Sequence, residues 1–146
     1  MSIPFYGQNK DGDNLQYAAD GKVKIKTIAA GLHTKLTADD SGSVVIVAAN
    51  STEVTLPDAA EGLNFKFIFG AHDSAICKVI TAAADDFVGS INANTGAGDI
   101  ATDSDVSINT GTATVAGDYV SVVCDGTDWF IVDSMSSATT NGMVFA

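Results

Sequence analysis

Hydrophobic and polar residues alternate with a period of two along much of this chain, which is the pattern of half-buried β-strands. The clearest run is Leu63-Asn64-Phe65-Lys66-Phe67-Ile68-Phe69, where Leu63, Phe65, Phe67 and Phe69 share one face. Four large apolar groups on one side predict a central core strand. An aromatic ladder that stacks sugars or bases is the competing reading, and core packing is favoured over it. Lys22-Val23-Lys24-Ile25-Lys26 alternates as strictly. It predicts a strand with Val23 and Ile25 on a buried face and the lysines in water. A basic binding stripe is the sharper alternative.

Two hairpins are signalled. Val44 to Ala49 runs through Asn50-Ser51 into Thr52-Glu53-Val54-Thr55-Leu56 and stops at Pro57, which cannot extend a ladder. Tyr119 to Cys124 meets Asp125-Gly126 and then Thr127 to Val132. Asp-Gly between apolar runs marks a tight hairpin turn, because both residues tolerate positive φ. Val120, Val122 and Cys124 then share a face. Asp58-Ala59-Ala60-Glu61-Gly62 reads as one helical turn. Within Ser74 to Ala84, Ile76, Val79, Ile80 and Ala83 fit helical spacing, but Cys77 to Thr81 also reads as a strand, and the β-rich surroundings favour the strand. Residues 89–118 are rich in Gly, Asn, Thr and Asp, with short β-prone runs at Val106-Ser107-Ile108 and Thr112 to Val115. No exact internal repeat is visible.

About eight to ten short strands separated by turns predict an all-β fold, an antiparallel β-sandwich or jelly roll. The domain is expected over residues 22–133, between an N-terminal arm (1–21) and a C-terminal tail (134–146). The arm mixes Phe5, Tyr6 and Tyr17 with the turn formers Asp11-Gly12-Asp13-Asn14. It reads either as a frayed terminus or as an assembly arm whose aromatics anchor on a neighbour. The tail is Ser/Thr-rich and closes on Met143-Val144-Phe145, an apolar ending suited to docking on the domain or on a partner.

Charge narrows the list of partners. Eighteen acidic residues face seven basic ones, a formal net charge of −11, and every basic residue is Lys. A chain with no Arg lacks the planar fork that reads phosphates and guanine edges, and an acidic chain is repelled by a polyanion. No direct contact with nucleic acid is expected. The opening Met1-Ser2-Ile3-Pro4-Phe5-Tyr6 lacks the basic region of a signal peptide, and the longest apolar stretch, Val44 to Ala49, is too short to span a bilayer. Cytoplasmic synthesis and no membrane partner are expected. Cys77 and Cys124 do not amount to a disulfide framework.

Candidate chemistry is sparse. Asp40-Ser41-Gly42 matches the active-site triplet of aspartic proteases, but Thr37-Ala38-Asp39 precedes it where such a site needs an apolar pair to bury its loop. An Asp-Ser-Gly turn between strands is the simpler reading. Asp39-Asp40, Asp85-Asp86, and Asp99 with Asp103 and Asp105 offer oxygens of the kind Ca²⁺ takes, yet solvated acidic turns are favoured. Asp11-x-Asp13 begins like a calcium loop and then places Leu15 where a ligand belongs. His33 and His72 have no Cys or His at ligand spacing, and Cys77 and Cys124 sit in apolar runs where thiols behave as small hydrophobes. No phosphate-binding Gly loop and no nucleophile elbow occurs. The expectation is a non-enzyme without cofactor or metal.

The stretch Gly117-Asp118-Tyr119-Val120-Ser121-Val122-Val123-Cys124-Asp125-Gly126-Thr127-Asp128-Trp129-Phe130-Ile131-Val132 resembles a hairpin recurrent in phage structural proteins. Leu36-Thr37 through Asp40-Ser41-Gly42, Val54-Thr55-Leu56-Pro57 and Gly62-Leu63-x-Phe65-x-Phe67 resembles the first half of the same module, so the likeness spans residues 34–133. It implies a virion β-sandwich or jelly roll, often trimeric, of the kind found in decoration proteins, head fibres and fibre tips. The short chain with flanking arms favours a capsid decoration (cement) protein. The partners expected are the major capsid protein or other virion proteins, in a homotrimer on a virion assembled in the host cytoplasm. Trp129, Phe130, Ile131 and Val132 are apolar on both strand faces, so one face is expected to need a partner subunit. Phe5, Tyr6 and Phe145 would reach the shell. The alternative is a fibre-tip or lectin-like module that stacks a glycan on an exposed Trp129 beside Asp125 and Asp128.

Overall fold

Period-two alternation builds two sheets, and the chain visits them in turn. A computed structural model describes residues 23–48, 52–70, 76–82, 85–94, 98–102, 104–138 and 142–146. Its first six strands are β1 (Ile25–Ile28), β2 (His33–Lys35), β3 (Ser43–Val47), β4 (Glu53–Thr55), β5 (Asn64–Phe69) and β6 (Lys78–Ile80). The odd-numbered three are parallel neighbours in one sheet. The even-numbered three are parallel neighbours in the other. The chain therefore advances as three coils, each giving one strand to each sheet, in the manner of a short solenoid.

The second half closes this coil. It supplies β7 (Phe87–Val88), β8 (Ser90–Ile91), β9 (Asp99–Ile100), β10 (Ser107–Asn109), β11 (Tyr119–Cys124), β12 (Trp129–Met135) and β13 (Val144–Phe145). Strand β11 runs antiparallel to β5, and β12 antiparallel to β11. In the other sheet β10 runs antiparallel to β6, and β13 to β10. The orders are β1-β3-β5-β11-β12-β7 and β13-β10-β6-β4-β2, with β8-β9 as a separate ribbon.

Both sheets feed one core. Val45, Phe67 and Val120 align across the six-stranded sheet, as do Phe65 and Val122, and Cys124 and Trp129. Val54, Val79, Ile108 and Phe145 align across the five-stranded sheet. All of these belong to a single hydrophobic cluster. Phe67 is wholly buried at its middle.

The all-β expectation is borne out, and so is β5 as the best core strand. Several finer expectations need correcting. The sheets are mixed and not antiparallel throughout, and thirteen strands occur among the described residues where eight to ten were expected. Val44 to Ala49 and Thr52 to Leu56 do not form a hairpin. Strands β3 and β4 lie in different sheets, because Val45 and Val47 fill the core from one side and Val54 and Leu56 from the other. The first strand spans Ile25–Ile28 and turns Ile25 outward, 62% exposed, so only Ile28 reaches the core. Residues 58–62 form a bend and a turn, not a helical turn, and the stretch from Thr112 to Val115 is a turn. The tail is not separate from the domain: β12 continues to Met135, and β13 completes the second sheet.

Aspartates hold the turns. Their carboxylates accept backbone N–H groups that no ladder satisfies, an obligation every buried or half-buried turn must meet. Asp125 accepts from the N–H of Thr127 and of Asp128, which fixes a four-residue loop where a two-residue Asp-Gly turn was expected. Gly126 takes φ +109° there. Those N–H donors hold the Asp125 carboxyl below its usual value. Asp99 accepts from the Phe145 N–H at 2.7 Å and Asp105 from the Thr102 N–H. Asp118 is the most buried of the set. Its two oxygens accept from the Val115 N–H at 3.1 Å, the Ser137 N–H at 3.0 Å and the Ser137 hydroxyl at 2.6 Å, tying the tail to the entrance of β11. Asp118→Ala should lose about 1–3 kcal/mol of unfolding free energy, because three donors lose their acceptor in a part-buried site. Urea titration of the variant and the wild type measures the difference.

Candidate functional site

Several of the residues singled out for chemistry have structural partners. Asp40 caps the short 3-10 turn Ala38–Asp40: its Oδ2 accepts from the Thr37 N–H at 3.0 Å and lies 2.9 Å from Lys26 Nζ. Burial pushes this carboxyl up, but the Thr37 N–H and the Lys26 ammonium outweigh burial and hold it below its ordinary value. The triplet Asp40-Ser41-Gly42 lies in the turn that leads into β3, with Asp40 paired to Lys26. His33 Nε2 lies 3.1 Å from Glu53 Oε1 and 3.1 Å from Thr55 Oγ1, on the solvated outer side of the five-stranded sheet. Cys77 and Cys124 are buried in the core. Among the described residues, no three His, Cys, Asp or Glu side chains gather as metal ligands. Phe5, Tyr6, Asp11, Asp13, His72 and Asp103 lie outside the described residues.

The predicted interface residues separate. Trp129 is 0% exposed and packs on Phe65 with ring centroids 5.9 Å apart. It can offer a platform neither to a glycan nor to a partner subunit, which corrects both readings of this residue. Phe145 also packs into the domain's own core, beside Phe87, and so docks on the domain and not on a shell. Ile131 points inward and packs against the core. Phe130 points outward and is half-buried.

A bulge follows the four successive apolar residues Trp129 to Val132. Ser121 stands opposite Asp133 and Val122 opposite Ile131, so Val132 is the extra residue on β12. Such an insertion resets the alternation. Without it Asp133 would face the core; with it Asp133 faces outward, Ser134 faces inward, and Val132 is left 61% exposed.

The outward rows of the six-stranded sheet can then be read from the register. One row is Ile25, Val44, Lys66, Ser121 and Asp133; the next is Thr27, Ile46, Ile68, Tyr119 and Met135; a third is Asn64, Val123, Phe130 and Val88. Among the described residues, Lys66 and Asp133 are the only charged side chains at these positions. They are linked through one ring: Lys66 Nζ sits 4.1 Å from the Tyr119 centroid, and the Tyr119 hydroxyl donates to Asp133 Oδ1 at 3.2 Å. Burial, then the Asp133 carboxylate, raises the Tyr119 pKa above its usual value near 10, so the hydroxyl keeps its proton at neutral pH.

The outer side of the five-stranded sheet is built otherwise. Its rows are His33, Glu53, Lys78, Asn109 and Val144, and Lys35, Thr55, Ile80 and Ser107. Lys35 pairs with Asp58 at 3.3 Å beside them. One outer face is thus mainly polar and solvated, whereas the other is mainly aliphatic and aromatic. On that face Ile25, Val88, Val132 and Met135 are exposed apolar side chains, of the kind that collects at interaction surfaces.

No protein-family model matches this chain, and no curated protein matches it. The sequence signals for this face were the run from Trp129 to Val132 and the unusual Val44, Ile46 and Ile68 at polar-phase positions. The bulge that turns Asp133 outward beyond that run had no signal of its own.

The Asp40 cap has a measurable consequence. A carboxylate whose folded pKa is depressed stabilises fully above its unfolded value near 3.8 and progressively less as pH falls through the lower folded value. Asp40→Asn should lose about 0.5–1 kcal/mol at neutral pH, with the gap from wild type narrowing below about pH 4. Denaturant melts across that range read both the size and the sign.

Proposed function

We propose that this chain is a structural virion protein, a capsid decoration (cement) protein that stabilises a phage head through contacts between subunits. The observation that carries the assembly part is the contrast between the two outer faces: an ion pair, lysines and polar side chains on one, apolar rows with a single charge of each sign on the other. The virion part is supported by the resemblance of residues 34–133, in order, to the phage structural module. The partners in this reading are the major capsid protein or other virion proteins and further copies of the chain, as a homotrimer. No nucleic acid, membrane, cofactor or catalysis takes part.

The physical mechanism is selective binding. A protein that binds the assembled shell and not its free parts stabilises the shell by mass action. The fibre-tip or glycan-binding alternative loses its platform with the burial of Trp129. Among the described residues no helix is long and apolar enough to cross a membrane.

Virus particles from cells that produce this chain provide the test. Density-gradient purification followed by mass spectrometry should find it in fixed stoichiometry with the major capsid protein. Particles lacking it should lose their genome at a lower temperature. A chain abundant in the lysate but absent from purified particles would overturn the reading. Replacing Phe5 and Tyr6 together by Ala should weaken retention on the particle if the N-terminal arm reaches the shell.

A further inference from the structure

We propose that the outer face of the six-stranded sheet binds a second copy of this same chain, in a cyclic assembly whose axis runs parallel to β11 in front of Ser121. The inference rests on the assembly reading above for its role, and on the register of the sheet for its geometry.

The charges on the face are arranged for self-contact. Lys66 on β5 and Asp133 on β12 stand at one height, one strand to either side of Ser121. Rotation about an axis along β11 carries the β5 side of one copy over the β12 side of its neighbour without changing height. Lys66 of each copy then meets Asp133 of the next, and the two charges compensate at every contact. The row below behaves alike: Ile68 and Met135 flank Tyr119 at one height, so the same rotation lays one over the other. Val132, the residue in excess at the bulge, projects from this face and gains a dry environment on contact.

Overall charge points to the same occupant. The chain carries a formal −11, yet the described outward rows of this face balance at one Lys and one Asp. A basic partner would find its acidic counterpart elsewhere on the surface, and a polyanion or an anionic membrane would meet one lysine among the described residues here. A second copy presents a surface of matching size, matching polarity and complementary sign.

The test is the mass of the full-length chain in solution, by sedimentation velocity from about one to about a hundred micromolar, with circular dichroism confirming the fold of each variant. The wild type should form a dimer or trimer. Lys66→Asp places acid against acid and should raise the dissociation constant by at least about tenfold. Combining Lys66→Asp with Asp133→Lys restores opposite signs across a self-contact and should recover association, which no unrelated partner would do. Val132→Glu, at a position exposed in the free protomer, should abolish association while leaving the fold intact. A wild type that stays monomeric throughout, a folded double variant that fails to reassociate, or a Val132→Glu variant that associates normally would each overturn the proposal. No capsid is present in these measurements, so their failure is distinct from a failure of capsid binding.

Discussion

Strand β5 is the constraint on which the rest of this structure depends. On one edge it ends the parallel coil by pairing with β3, and on the other it starts the antiparallel closure by pairing with β11. Its inward side chains, Phe65, Phe67 and Phe69, are all buried, and Phe65 stacks against both Phe67 and Trp129. A slip of one residue in β5 would expose all three rings and turn Asn64, Lys66 and Ile68 inward, a change that burial of three aromatics forbids. The register of β5 therefore sets the height of every outward residue from β1 to β12.

That register separates two kinds of surface. Inward positions are filled to form one core shared by both sheets. Outward positions differ between the sheets, and the difference does not come from folding, because either outer face could be solvated at no cost to the core. An acidic protein whose described residues keep every acid but Asp133 off the outward rows of one sheet has a surface suited to contact. Acids elsewhere work as backbone acceptors, Asp40, Asp105, Asp118 and Asp125 at turns and Asp99 across to β13, each taking at least one N–H. The acidity of the chain is thus partly structural, and not only a matter of solubility.

How much of this was legible in the sequence depended on whether the pairing was local. The buried side of β5 and the β11–β12 hairpin could be read directly, because each is written within a dozen or so residues by period-two alternation and a turn signal. The parallel coil was not legible. Ile25 pairs with Val44 nineteen residues on and Val44 with Lys66 twenty-two residues on, while His33 pairs with Glu53 at twenty and Glu53 with Lys78 at twenty-five. Coils of unequal length leave no repeat to find, and two adjacent β-rich runs, Val44 to Ala49 and Thr52 to Leu56, imitate a hairpin although they belong to opposite sheets. The candidate surface was half legible. Four apolar residues from Trp129 to Val132 showed that some of them had to point away from the core. Plain alternation puts Phe130 and Val132 outside and Trp129 and Ile131 within; the bulge between β11 and β12 then turns Asp133 outward as well.

The central claim is that the outer face of the six-stranded sheet becomes covered when copies of the chain meet. Hydroxyl-radical footprinting read by mass spectrometry at increasing protein concentration addresses it without altering a residue. Tyr119, Phe130 and Met135 on that face should lose reactivity together as association proceeds, while His33 on the outer side of the five-stranded sheet keeps its reactivity unchanged. Equal reactivity of all four at every concentration, or protection that falls on His33 instead, would contradict the claim.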